Sequence, residues 1–221
     1  MKKMLSMILA LSLVFALSIP AVAAEKDQQE STDATTVSHF AGTTVPCQIV
    51  KCSDEGEPVT SIVDVTIPEG ATVAEQNRLV QAAVLEDAGV SQADAARGVM
   101  DLISTEKNLR VVSNMYTQVG AATIPAPDYI TLAIQFENYG NYGGKNLTVV
   151  VKGGKNPSRS HSMTAQLANG PSIIVSMFNG MDNVFLTEGS NITVSAKTDA
   201  GYMTVQTCNV WISPWEMGVA T

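Results

Sequence analysis

Alternating apolar and polar positions recur along the second half of the chain and predict β-strands. The first such stretch alternates apolar residues at Ile130, Leu132, Ile134 and Phe136 with polar or small residues, as in a strand with one buried face. The same alternation returns over residues 147–151, 163–167, 173–177 and 192–196. Short strands at this spacing are typical of an antiparallel β-sandwich, which we expect over residues 127–214.

Turn residues between these stretches suggest how the strands connect. Asn169 and Gly170 suit a two-residue hairpin, and the segment 199–201, which ends in Gly201, suits a three-residue hairpin loop. In the last stretch the apolar residues occupy odd positions up to Val205, as at Met203, and even positions after Gln206. We therefore expect a β-bulge or a bend near Gln206.

The first half of the chain has a different pattern and predicts a small α/β portion over residues 45–119. Val63, Val65 and Ile67 alternate as in a half-buried strand. Thr72 and Glu75 then form a capping-box pattern before apolar residues at helical spacing, which run to Gly89. A short irregular helix or turn is expected after Ser91, and another strand over 109–116. The predicted fold class is mainly β, in the α+β class, with one clear helix; whether both portions share one core is left open.

The N-terminus has the features of a cleavable export signal. Lys2 and Lys3 precede an uncharged apolar run over residues 4–17, and the small residues 21–24 form an A-x-A pattern. About 14 apolar residues are too few to span a bilayer, which needs about 20. We expect a signal peptide over residues 1–23, of a bacterial kind, then a flexible polar spacer over 24–44. The mature protein should be secreted, with no transmembrane segment.

Charge and histidine content exclude several classes of function. The chain has 21 acidic and 13 basic residues, and Lys2 and Lys3 leave with the signal, so the mature protein is acidic. Binding to nucleic acid or to an anionic membrane surface is not expected, because a basic stripe is missing. His39 in the spacer and His161 in a predicted loop are too few for a multi-histidine metal site. We expect no cofactor and no metal.

The three cysteines suggest a disulfide bond in an exported protein. Cys47 and Cys52 would lie roughly 16 Å apart on one extended strand, too far for a bond without a turn. Cys208 occupies an apolar-facing position in the last strand. The sequence therefore predicts a bond from Cys208 to Cys47 or to Cys52, while three reduced thiols remain the alternative.

Two tyrosines are the residues that best fit a ligand-binding role. Tyr139 and Tyr142 lie in a loop rich in Asn and Gly, and we expect them to be exposed. Aromatic residues make up only 5% of the chain, which disfavours the long aromatic cleft of a polysaccharide-cleaving enzyme. We predict a non-enzymatic extracellular module that binds a surface glycan or a protein. The alternatives are a small secreted hydrolase of glycosides or peptides and a structural component of the cell envelope.

Overall fold

The computed structural model describes residues 35–52, 58–90, 100–125, 131–153, 160–179, 186 and 188–213. In that part of the chain the protein is mostly β-strand with one helix, which confirms the predicted fold class. The elements in chain order are β1 (Thr43–Cys52), β2 (Val59–Ile67), α1 (Val73–Asp87), β3 (Asp101–Val112), β4 (Thr117–Thr123), β5 (Thr131–Asn138), β6 (Asn146–Gly153), β7 (Ser160–Gln166), β8 (Ser172–Phe178), β9 (Asn191–Thr198) and β10 (Tyr202–Ser213).

The strands form two sheets that face each other as a β-sandwich. The six-stranded sheet has the order β2-β1-β8-β5-β10-β3, and the four-stranded sheet has the order β4-β9-β6-β7. Neighbouring strands pair in antiparallel fashion, except that β1 runs parallel to β8. Because β1, β2 and β3 pair within the six-stranded sheet and β4 pairs with β9, the ranges 45–119 and 127–214 build both sheets together.

Residues on the two faces of the six-stranded sheet enter two different apolar cores. Ile134 and Phe136 of β5 point into the core between the sheets, which we call the sandwich core. Ala133 of the same strand and Ile49 of β1 lie in a second core beneath α1, which we call the helix-side core. Since side chains alternate along a strand, this sheet is covered on both faces. The molecule therefore has three layers: helix, six-stranded sheet and four-stranded sheet.

The single helix forms as its sequence predicts. Thr72 caps α1, its hydroxyl accepting from the backbone N–H of Glu75, and Oε2 of Glu75 accepts in return from the backbone N–H of Thr72. Val80 and Val84 bury the apolar face of α1 in the helix-side core. Within the described part of the chain, no helix has the length and apolarity that crossing a membrane requires.

Both predicted hairpins are wrong, although the chain does turn at both places. Gly170 and Gly201 have positive φ angles of 79° and 82°. However, the strands on either side of each turn belong to different sheets: β7 and β9 to the four-stranded sheet, β8 and β10 to the six-stranded sheet. A glycine allows the reversal of the chain, but the partner of the following strand is decided by which face its apolar residues must cover. The predicted irregularity near Gln206 is confirmed, since the β5–β10 register shifts between Val205 and Cys208.

Three other local expectations need correction. The end of the predicted spacer is part of the fold: Val37 forms an isolated bridge with Thr72, and Phe40 is buried because its ring packs in the helix-side core. The short irregular helix or turn expected after Ser91 does not extend past residue 100, because β3 begins at Asp101. The strand expected over 109–116 ends at Val112. The predicted signal peptide, most of the spacer and residues 91–99 lie outside the described residues.

Candidate ligand-binding site

One end of the sandwich, which we call the loop end, gathers connections from all three layers. The register places Thr43 at the start of β1 beside Ile67 at the end of β2, and Tyr202 at the start of β10 beside Val112 at the end of β3. The starts of β1 and β10 and the ends of β2 and β3 therefore lie at this same end of the sandwich. The described connections at this end are residues 35–42, 68–72, 113–116, 139–145, 167–171 and 199–201.

A depression of about 360 Å³ lies at the loop end, and we call it the Tyr139 depression. It combines aromatic rings with hydroxyl groups, and several of its residues, including His39 and Thr44, are exposed. Its lining residues are His39, Phe40, Thr43, Thr44, Val45, Tyr139 and Pro171. A concave site with apolar surface and a few polar groups has the character of a small-ligand pocket.

Tyr139 is held in place from two directions. The centres of the Tyr139 and Phe40 rings lie 4.6 Å apart. The His39 ring packs edge-on against Tyr139, with 5.4 Å between the two ring centres. The hydroxyl of Tyr139 donates a hydrogen bond of 3.1 Å to Oε2 of Glu137. Burial, followed by the nearby charge of Glu137, raises the pKa of Tyr139, which keeps the phenol protonated as a donor. The ring is thus fixed before any ligand arrives.

Glu137 is a buried carboxyl group beneath the site, with only 4% of its surface exposed. Besides Tyr139, its side chain accepts hydrogen bonds from the amide of Gln76 on α1 and from Thr207 on β10. Loss of solvent raises the pKa of Glu137, and these donors together with the charge of His39 only partly offset that effect. The carboxyl group therefore ties the helix, two strands and the site into one network.

A further row of polar side chains continues this network under α1. The amide of Gln135 donates to Oδ1 of Asn77 at 2.9 Å, and the amide of Asn209 donates to the same atom at 3.4 Å. Thr105 on β3 donates to Oδ1 of Asn209 at 2.9 Å. Sequence reasoning missed this row because it treated β5 as half-buried, whereas every residue of β5 is buried. One indication of this row was present in the sequence: the polar residues Gln76 and Asn77 lie on the face of α1 that packs against the sheet.

The two predicted ligand-binding tyrosines do not lie in one site. Tyr139 lines the depression and packs against the helix-side core, whereas Tyr142 packs against the sandwich core on the opposite face of the sheet. The hydroxyl of Tyr142 accepts a hydrogen bond of 3.2 Å from the backbone N–H of Thr204. Both rings are partly buried rather than exposed, because each covers an edge of a core. His39 and Phe40, which the sequence placed in a spacer, belong to the depression instead.

The predicted disulfide bond to Cys208 is wrong. Cys47 and Cys208 are both buried free thiols, Cys47 in the helix-side core and Cys208 in the sandwich core. Two strands, β8 and β5, separate β1 from β10, so the two cysteines are about 14 Å apart across the sheet. Burial raises the pKa of Cys47 to about 12 and also raises that of Cys208. The side chain of Cys52 lies outside the described residues.

A second depression lies beside the N-terminal turn of α1 and contains two carboxylates. Its lining residues are Pro68, Glu69, Gly70, Ala71, Glu75, Arg78 and Leu79. Hydrogen bonds from the backbone and then from the side chain of Thr72 lower the pKa of Glu75. That carboxylate therefore stays ionised and is occupied by capping the helix. Among the described residues, no group of three or more His, Cys, Asp or Glu side chains is arranged to hold a metal ion.

Comparison with known proteins finds similarity to solved structures only. No family model matches the chain, and no curated protein matches it. Among solved structures, the chain is similar to a novel carbohydrate binding module from glycoside hydrolase family 9 (Cel9A) from Ruminococcus flavefaciens FD-1. The match covers 51% of this chain and 98% of that chain, with 10% identity and a TM-score of 0.35.

Proposed function

We propose that this protein is an exported, non-enzymatic module that binds a glycan in the Tyr139 depression. The observation that carries the proposal is a concave site in which a fixed tyrosine ring stands beside exposed hydroxyl groups. Tyr139 is clamped by Phe40 and by Glu137. Thr43 and Thr44 line the same depression and are exposed.

The chemistry of a sugar matches these groups. A pyranose ring has an apolar face of C–H groups that packs on an aromatic ring, and a rim of hydroxyls that donate and accept hydrogen bonds. The hydroxyl of Thr43 donates to the backbone carbonyl of Phe40 at 2.6 Å, so its oxygen is left to accept from a ligand. A volume of about 360 Å³ is near the lower end of the range for ligand sites, which suits one or two sugar units.

The fixed ring also supports binding on energetic grounds. Ordering a mobile side chain on association costs about 0.5–1.5 kcal/mol, and a side chain that is already held avoids that cost. Tyr139 is held by the protein through its hydroxyl and through ring contacts on more than one side. Its sequence neighbours Asn138 and Gly140 also close a tight turn, since the side chain of Asn138 accepts from the backbone N–H of Gly140 at 2.9 Å.

The same residues support hydrolysis of a glycoside less well than they support binding of a glycan. A glycosidase needs one carboxyl group with a raised pKa and a second carboxylate across the scissile bond. Glu137 has the raised pKa, but it is buried beneath Tyr139 and does not line the depression. Glu75 lines the other depression, but its pKa is lowered and its oxygens serve Thr72. Export itself is supported by Lys2 and Lys3, the apolar run 4–17 and the small residues 21–24.

The proposal is tested by binding of uncharged oligosaccharides to the purified mature chain. An array of β-glucan, mannan, xylan and chitin oligomers identifies a ligand, and calorimetric titration then gives its Kd for wild type, His39→Ala and Tyr139→Ala. We expect at least fivefold weaker binding for His39→Ala, which removes an exposed ring, and loss of detectable binding for Tyr139→Ala.

The control variant is Tyr142→Phe, which removes a hydroxyl on the other face of the sheet and should leave Kd unchanged. Far-UV circular dichroism and thermal melting establish that each variant is folded. The site is wrong if folded His39→Ala and Tyr139→Ala bind like wild type. The function is wrong if wild type binds none of the oligomers, or if it cleaves them with turnover.

A further inference from the structure

A buried acid without a cationic partner lies directly beneath the Tyr139 depression. Glu137 has only 4% of its surface exposed, and its Oε2 accepts at 3.1 Å from the hydroxyl of Tyr139, which lines the depression. Among the described residues, Glu137 forms no ion pair with a lysine or an arginine. A buried charge in a protein is normally paired with an opposite charge. A cationic ligand in the depression would supply that opposite charge.

The groups around Glu137 are arranged to hold its ionised form. The amide of Gln76 donates to the carboxyl group, and this orientation is fixed because the hydroxyl of Ser38 donates to Oε1 of Gln76. Tyr139 and Thr207 add two hydroxyl donors. A carboxylate only accepts, so it suits three donors. Burial nevertheless raises the pKa of Glu137 and disfavours the charge, a conflict that a nearby cation would relieve.

A positive charge in the depression acts on Glu137 in the expected direction. The charge of His39, which lines the depression, lowers the pKa of Glu137. None of the lining residues is a lysine or an arginine, so a bound cation meets no permanent positive charge among them. The chain has a formal net charge of −8, which attracts cationic ligands to its surface.

The aromatic rings of the depression favour the same kind of ligand. Phe40 and Tyr139 both line it, with 4.6 Å between their ring centres. The faces of aromatic rings attract cations, and proteins bind ammonium groups between such rings. Because hydrogen-bonded groups polarise one another, the bond from Tyr139 to Glu137 makes the tyrosine ring more electron-rich. An ammonium group in the depression therefore interacts favourably both with the ring and with the acid behind it.

We propose that the Tyr139 depression selects a protonated amino sugar, such as a glucosamine unit with a free amine, over a neutral sugar. This inference rests on the proposed function, since it names the class of sugar that the same site prefers. Glu137 determines the specificity through Tyr139, without touching the ligand. A lysine side chain offers a cation but lacks the rim of hydroxyls that matches Thr43 and Thr44.

The experiment compares two ligands that differ in charge and hardly in shape. Glucosamine oligomers from chitosan and glucose oligomers from cellulose share the β-linkage, and an ammonium replaces one hydroxyl in each unit. Calorimetric titration of the mature chain at neutral pH should give a Kd for glucosamine oligomers about tenfold below that for glucose oligomers of equal length. N-acetylglucosamine oligomers, in which the amine is neutralised, should resemble the glucose oligomers.

The ratio of these two Kd values is then measured for variants. Glu137→Gln keeps the shape of the side chain without its charge and should reduce the preference to about twofold. Tyr139→Phe keeps the ring, removes the bond to Glu137 and should also reduce the preference, so it decides the matter if Glu137→Gln does not fold. Glu86→Gln, which removes an exposed carboxylate from the last turn of α1, is the matched control and should keep the preference of wild type. A merely structural effect would weaken both ligands equally and leave the ratio unchanged.

Tri-lysine and added salt separate recognition from general attraction to an acidic protein. Tri-lysine should bind about tenfold more weakly than glucosamine oligomers. The preference should persist at moderate salt, because a buried charge is screened less than surface charges. The inference is overturned if glucose oligomers or tri-lysine bind as tightly as glucosamine oligomers, or if folded Glu137→Gln and Tyr139→Phe keep the full preference. Binding of all the sugars without preference overturns this inference alone, whereas no binding of any oligomer also overturns the proposed function.

Discussion

The hydroxyl of Tyr139 donates a hydrogen bond of 3.1 Å to the carboxyl group of Glu137, and this bond joins a surface depression to the interior of the protein. Glu137 lies on β5, one of the central strands of the six-stranded sheet, and also accepts from Gln76 of α1. The position of the ring at the surface is therefore linked to the protonation and packing of a buried acid. Glu137, the two buried cysteines and the buried lysine Lys51 each give a testable prediction.

Glu137 should make the protein less stable as pH rises. Its pKa is raised in the folded state above the ordinary value of 4.5, mainly by loss of solvent. Folding is then most favourable below the pKa of the unfolded chain, where the group is protonated in both states, and weakens as pH rises through the folded pKa. We expect Glu137→Gln to flatten the dependence of the free energy of unfolding on pH, measured by urea titration between about pH 4.5 and pH 7.5.

The matched control for Glu137 is Glu69→Gln, which neutralises an exposed carboxylate at the same end of the molecule. This variant should keep the pH dependence of wild type. Groups that face Glu137, namely Gln76, Tyr139, Thr207 and His39, remain in both variants. Equal slopes for wild type and Glu137→Gln would show that Glu137 carries no such effect.

Cys47 and Cys208 should resist alkylation in the folded protein. Both side chains are completely buried, and burial raises the pKa of Cys47 to about 12, so the reactive thiolate is scarce at pH 8. Incubation with iodoacetamide without reductant, followed by peptide mapping, should leave both unmodified. After denaturation in the same buffer both should be alkylated, because they are free thiols. A peptide cross-linked through Cys208 would contradict the structure.

Lys51 should be important for the stability of the helix layer. Its ammonium lies 2.8 Å from Oδ2 of Asp87, the last residue of α1, and also donates to the carbonyl of Asp87 at 2.7 Å. The exposed fractions of the two side chains are 6% and 16%. Removing one partner of a buried pair leaves the other charge uncompensated, so Lys51→Met should lower the free energy of unfolding by about 3 kcal/mol.

The control for Lys51 is Lys152→Met, a change at an exposed lysine of β6 that should alter stability by no more than about 0.5 kcal/mol. Urea unfolding followed by tryptophan fluorescence measures both variants. If the two lysine variants lose equal stability, the ion pair with Asp87 does not hold α1 to the sheet.

Local patterns were sufficient to predict most elements of this protein. The alternation around Val63 predicted β2, the capping box at Thr72 and Glu75 predicted the start of α1, and the alternation from Leu132 to Phe136 predicted β5. The change of parity before Cys208 predicted the bulge in β10. These signals are reliable because they arise from neighbours along the chain: a cap satisfies backbone groups three residues away, and alternation follows the geometry of one strand.

The partners of those elements, and with them the site, were decided only by the tertiary structure. Gly170 would turn the chain equally well if the next strand paired with β7 or if it crossed to the other sheet. The local sequence could therefore not distinguish a hairpin from a crossing. Glu137 follows an alternation typical of a solvent-facing residue, and only the packing of α1 over β5 buries it. His39 lies 98 to 100 residues before Glu137 and Tyr139 in the chain, and the folded sheet brings them together. A contact between distant residues depends on which apolar faces must be covered, and that is a property of the whole chain.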